Sequence, residues 1–203
     1  MVIIMGIILV KSYDPMPFDK SEILRYAQAK GESPELDLII DECIGEVSDK
    51  LVYKVCYGEF DISVDQPNID FGFMNITSKD LSKNLKDCKK TVVFGATVGI
   101  ELDRLILRYG RISPVKALIF QAIGAERIEA LADAFNNEIK EKYITVPRFS
   151  AGYGDFSVYK QTDIFNILDC GRKIGLTLND SMMMSPTKSV TAIIGIKGER
   201  DNL

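Results

Sequence analysis

The 203-residue sequence predicts an α+β fold, in which a mostly antiparallel or mixed β-sheet is covered by helices. Three observations carry that expectation. Apolar residues recur at helical spacing over 33–47 and 114–143, they alternate with a period of two through LVYKVCYGEFDISV from Leu51, and β-branched runs stand at Thr91–Phe94 and Val190–Ile196. With 46% hydrophobic and 27% charged residues, the whole of 1–203 reads as a single domain around one core.

Taken in order, the apolar run Val2–Val10 reads as a buried strand or as a disordered start. It lacks the leading positive charges and cleavage site of a signal peptide, and it is too short to span a bilayer. After a loop holding Pro15 and Pro17, Asp19 or Ser21 can cap a helix, Glu22 suits its positive end and Gly31 stops it. A second helix runs from about Ser33 to Val47, with Pro34 in its first turn and Leu36, Ile39, Ile40, Cys43 and Val47 at helical spacing. The two are expected to form a hairpin.

The alternation from Leu51 predicts two strands joined near Gly58 and Glu59, or one bent ribbon, reaching Val64. A turn at Gln66–Ile69 leads into IDFGFMNI, which is β-like, with its aromatic residues in the core. From Ser78 a short polar helix turns Leu81 and Leu85 inward and leaves its lysines solvated. Thr91–Phe94 is a strand running into a turn of Gly95, Thr97 and Gly99. Amides at such a junction can hold an anion, but the spacing fits neither the phosphate loop nor the dinucleotide fingerprint, so tight strand–helix packing is expected.

The helix that follows puts Leu102, Leu105, Ile106 and Tyr109 on one face and ends at Gly110. Ser113 and Pro114 open a helix to Tyr143, with or without a break at Gly124, apolar enough to be the spine of the fold. A helix from Thr162 or Asp163 stops before Gly175; a methionine-rich loop, the strand Val190–Ile196 and a frayed polar tail complete the chain. Met182–Met184 cannot all face one side of a helix or strand, so at least one is expected at the surface or toward a ligand, with core filling the default for the run.

A net charge of −4 without any basic run argues against nucleic-acid or anionic-membrane partners. Cys43, Cys56, Cys88 and Cys170 are scattered and histidine is absent, which leaves no zinc ligand set and no histidine-based catalytic dyad. The cysteines read as buried thiols in a reducing cytoplasm.

The chemistry gathers after Pro147. Arg148 is a fixed planar cation suited to a carboxylate or phosphate; Ser150, Ala151 and Gly152, with Gly154, offer backbone that can approach a ligand closely; Tyr153 can both stack and hydrogen-bond. That is a small-ligand clamp, and alone it names no ligand. It heads an ordered series, however: Arg148, Gly152, Tyr153, the run Ile164–Cys170, then Gly175, Leu178, Ser181, Met184, Pro186, Ser189 and Val190.

This series resembles the activation domain of cobalamin-dependent methionine synthase, whose pattern reads Arg-x-x-x-Gly-Tyr, a helix, Gly-x-x-Leu-x-x-Ser, then a Met- and Pro-containing segment ending Ser-Val. FGATVGIELDRLI and IGAERIEALADAF extend the resemblance upstream, so it covers about 90–195, with a weaker match at ILRYAQAKG.

The resemblance implies an S-adenosylmethionine site. Arg148 would take the carboxylate, Asp133 (with Glu129 as its neighbour and competitor) would be the acidic residue on the spine helix, and Tyr153 with the Ser150–Gly152 backbone would face the adenosine. It further implies a cytoplasmic reactivation factor acting in trans, which presents the methyl group for reductive remethylation of cob(II)alamin. The cobalamin would sit on a partner methionine synthase or related corrinoid protein, and the electron would come from a separate donor. The chain would then be a component of a methyltransferase rather than a complete enzyme. That family usually continues past the strand matching Val190–Ile196, whereas this chain stops at Leu203, so part of the ligand site is expected to be missing or replaced. The alternative reading is a docking or structural module for a corrinoid protein that does not use S-adenosylmethionine.

Overall fold

The computed structural model describes residues 7–29, 31 and 33–200. The first strand, β1, is Leu9–Tyr13, later than the Val2–Val10 run predicts; residues 1–6 lie outside the described residues. Nor is it buried, since Leu9 and Val10 are 47% and 45% exposed. Helix α1 (Lys20–Tyr26) is capped by Asp19, whose carboxylate accepts from the Ser21 and Glu22 amides, and it stops well before Gly31. Helix α2 (Pro34–Val47) is capped by Ser33 Oγ on the Leu36 amide.

Strand β2 (Tyr53–Asp61) runs straight through Gly58, so the break expected there falls at Ile62, before β3 (Ser63–Asp65). With β4 (Asn68–Asp70) and β5 (Asn75–Thr77), β3 makes a separate antiparallel sheet. IDFGFMNI is therefore two strands around a turn, closed by the Phe71 amide on Met74 O and the Gly72 amide on Asp70 Oδ1. Helix α3 (Lys79–Asn84) follows, with Ser78 as its cap.

Strand β6 (Lys90–Thr97) continues past Phe94, because Gly95 is a contact residue rather than a turn: a Cβ there would meet Cys170 Sγ at 3.2 Å and Cys56 Sγ at 3.6 Å. The turn comes at Gly99, with φ +86°, ahead of α4 (Glu101–Tyr109). Helix α5 (Pro114–Lys142) is unbroken over 29 residues. Gly124 is a seat on it rather than a break, since an added Cβ would lie 2.6 Å from Cγ and Cδ of Lys188.

Strand β7 (Tyr143–Thr145), absent from the sequence reading, follows directly. The single helix expected after the clamp is two, α6 (Gln161–Leu168) and α7 (Cys170–Ile174), divided by Asp169 in the left-handed region at φ 52°. Strands β8 (Thr177–Leu178) and β9 (Met184–Ser185) flank the methionine loop. Strand β10 (Ser189–Glu199) takes in the first residues of the expected frayed tail, because Gly198 and Glu199 pair with β7.

The main sheet is antiparallel throughout, in the order β1-β2-β6-β10-β7. Both its faces are covered. Val92, Phe94, Ala96, Ala192 and Ile194 share a core with α1, α2, α4 and α5, whereas Cys56, Val93 and Ile193 share a second with Leu81, Leu85, Phe156 and residues of α6 and α7. Double coverage makes β6 a continuous apolar run instead of an alternating one. The α+β class is as predicted, but only β2 of the 51–76 region joins the main sheet. Helices α1 and α2 each pack on α5 in place of the expected hairpin.

All four cysteines are buried and free, and burial pushes the Cys43 thiol up to about 11. No helix among the described residues is long and apolar enough to cross a membrane.

Candidate ligand-binding site

Backbone pairing sets the position of the clamp. Beyond β7 the chain stays beside β10: the Val146 amide donates to Gly195 O at 3.0 Å, and Phe149 exchanges two hydrogen bonds with Ile193, each 2.9 Å. Successive side chains along an extended segment point to opposite faces. Phe149 accordingly joins the second core, and Arg148 reaches the other way, to α5. There Arg148 Nη2 donates to Glu129 Oε2 at 2.6 Å and Nη1 to Asp133 Oδ1. Glu129 and Asp133 stand four residues apart, on one face of the helix. Burial alone would lower the Arg148 pKa, but the carboxylates of Asp133 and Glu129 outweigh it and hold the guanidinium above its ordinary value.

The loop after Phe149 is a knot of short turns anchored at both ends. The Gly152 amide donates to Phe156 O at 2.8 Å and the Phe156 amide to Tyr153 O at 3.0 Å, with Ala151 and Phe156 buried beneath. Gly152 and Gly154 take φ of +97° and +54°, which a side chain would strain. Asp155 then caps α3: its carboxylate accepts from the Ser78 hydroxyl and from the Lys79 and Asp80 amides, and these donors hold it below the ordinary carboxylate range.

A Cβ on Gly154 would overlap the Asp80 carboxylate in this anchor. Gly154→Ala is therefore expected to cost about 1–3 kcal/mol, read as a lower midpoint in denaturant unfolding. An unchanged midpoint would show that Asp80 swings aside freely.

Between the clamp, α5, α6 and β10 lies a cleft of about 450 Å³. Of the residues predicted from sequence, Glu129, Arg148, Ser150, Ala151 and Tyr153 line it. Gly152 and Asp133 do not: Gly152 supplies a turn, and the largely exposed Asp133 holds Arg148 from outside. Met184, Ser189 and Val190, which belong to the motif series without an assigned contact, also line the cleft, and Met183 beside them is 62% exposed. Phe149, Gln161 and Thr191 join them with no sequence signal, since nothing in a local stretch marks a polar residue for burial.

At the cleft one carboxylate, that of Glu129, faces the Arg148 guanidinium, and Asp133, outside the wall, binds the same guanidinium and leaves the cluster of three with one net negative charge. That suits a ligand with a carboxylate for the arginine and a surplus of positive charge for the acids. A second cavity of about 400 Å³, between α6 and the methionine loop, has Asp169 and Asp180 in its wall and no cation.

Residues 129–200 match a family model described as the activation domain of vitamin B12 dependent methionine synthase. A search of curated proteins finds no match. Among solved structures, a crystal structure of the MetH reactivation domain bound to AdoHcy aligns with a TM-score of 0.72 and 14% sequence identity, covering 100% of this chain and 82% of that one. The activation-domain resemblance read from the motif series is thus borne out, and the α+β fold is that of the reactivation domain.

Proposed function

We propose that this chain binds S-adenosylmethionine in the Arg148 cleft and acts in trans as a reactivation factor for a cobalamin-bearing methionine synthase or related corrinoid protein. The observation that carries the reading is the cluster of Arg148, Glu129 and Asp133 at a cleft walled by the clamp loop. The family model spans these residues, and the solved relative of the same fold was crystallised with AdoHcy, which supports the assignment. In it, Arg148 takes the ligand carboxylate with the guanidinium hydrogens that the two acids leave free. Glu129 faces the cationic groups, and Tyr153 with Ser150 and Ala151 flanks the adenosine.

Little acid–base chemistry is asked of such a protein. A cobalamin held by the partner would supply the nucleophile, with an electron from a separate donor, and the part left to this chain would be to hold the ligand through Arg148 and Glu129 so that its methyl group is oriented. The exposed Tyr153 and Met183 at the cleft give the partner an apolar rim to approach.

The net charge of the cleft makes a testable distinction. S-adenosylmethionine carries one positive charge more than S-adenosylhomocysteine, so calorimetric titration is expected to show several-fold tighter binding of the sulfonium compound at low salt, with the gap closing as salt is added. Equal affinities at low salt would remove the charge argument, and no heat or thermal shift with millimolar ligand would remove the site. For the in-trans role, labelled methyl should reach the cobalamin-bearing protein only when this chain, S-adenosylmethionine and a reductant are all present.

A further inference from the structure

We infer that Gln161 reads the base of the bound nucleoside, its side-chain amide hydrogen-bonding the exocyclic amino group of adenine and an adjacent ring nitrogen. Gln161 opens α6, is 7% exposed and lines the cleft, yet its Oε1 has no hydrogen-bond partner. Thr191, 1% exposed on β10, lines the same cleft with an unpartnered Oγ1. Burying a polar atom without a partner is unfavourable, and most such atoms are paired. Among the described residues four side-chain polar atoms are left in this condition; the other two, on Asn84 and Asn136, belong to no wall of the cleft. Both residues line one cavity, where a ligand toward which the side chains turn supplies the partners that the protein does not.

The identity of the group follows from its chemistry. Arg148 and Glu129 deal with the charged end of the ligand, whereas an uncharged amide presents one acceptor and two donors side by side. Adenine offers the complement along one edge, an amino donor next to a ring-nitrogen acceptor, the pairing by which glutamine recognises this base in other settings. Tyr153, in the same wall and 69% exposed, has its ring free to stack on the base whose edge the amide reads. The assignment rests on reading the cleft as an S-adenosyl site.

A double-mutant cycle on the full chain tests it, with wild type and Gln161→Met each titrated with S-adenosylhomocysteine and with its analogue lacking the exocyclic amino group. Gln161→Met is expected to weaken S-adenosylhomocysteine by about tenfold or more, given the usual worth of a bidentate amide–adenine pair. The analogue should bind wild type about as weakly, and lose little more on the variant. If Gln161→Met proves unstable, Gln161→Leu, which likewise removes the acceptor and both donors, should show the same collapse of preference between the two ligands. The same preference in wild type and variant would overturn the role of Gln161 and leave the functional reading standing. Wild type that binds neither ligand would bring down the functional reading and this inference together.

Discussion

Arg127→Ala is expected to destabilise the protein by about 3–5 kcal/mol, the usual cost of removing one member of a buried ion pair. Arg127 lies on α5, fully buried, ion-paired to the neighbouring Glu126, which is 5% exposed. Its guanidinium also donates to Met16 O and Pro17 O, at 2.7 Å each, and stacks 4.3 Å from the Phe18 ring, while Glu126 accepts from the Asp19 amide. Burial pushes the arginine toward neutrality, and the Glu126 carboxylate outweighs it and keeps the charge. The alanine variant strands one carboxylate and two carbonyls and releases the loop that leads into α1. Denaturant unfolding with tyrosine fluorescence or circular dichroism reads the loss. Glu126→Gln with Arg127→Met, which removes the uncompensated charge, should be milder than Arg127→Ala alone. An Arg127→Ala variant within about 1 kcal/mol of wild type, inside the range of an ordinary surface pair, would sink this account.

That pair gives no signal in the sequence, where Glu126 and Arg127 look like any two charges on a long helix. What was legible had local causes. Helices α2 and α5 announce themselves by Ser-Pro starts at Ser33 and Ser113 followed by helical spacing, and both are found where expected. The strand boundaries failed where the cause was tertiary. Gly95 looks like a turn residue but lies inside β6, because side chains from the second core press on it; a Cβ there would meet Cys170 Sγ at 3.2 Å and Cys56 Sγ at 3.6 Å. Strand β7 exists only because β10 lies beside it, and the α6–α7 break rests on a left-handed aspartate. The site divides the same way. Arg148, Ser150, Ala151 and Tyr153 are contiguous and were visible as a clamp, and Glu129 and Asp133 entered through the family resemblance. Gln161 and Thr191 became visible only when the fold buried their polar atoms and set both residues in the wall of one cavity.

Arg148→Ala should abolish measurable S-adenosylmethionine binding or weaken it by about 100-fold, near the upper end of what a charge-assisted hydrogen bond contributes. Two roles compete for this arginine. It ties the clamp to α5 through Glu129 and Asp133, and in the proposed function it also holds the ligand carboxylate. The tie contributes little to folding, because Asp133 is largely exposed and Glu129 about half-exposed, and ion pairs open to solvent are worth at most about 1 kcal/mol each. The unfolding midpoint of Arg148→Ala should therefore lie close to wild type while affinity collapses, a split that a purely structural role would reverse. Arg148→Lys sharpens the test, since it keeps the charge but loses the planar fork, and should fall between the two in affinity. Docking to a cobalamin-bearing partner should survive both substitutions. A protein that docks and binds S-adenosylmethionine equally well with and without Arg148 would move the ligand out of this cleft. One that docks but never binds it would be a structural module on the same fold.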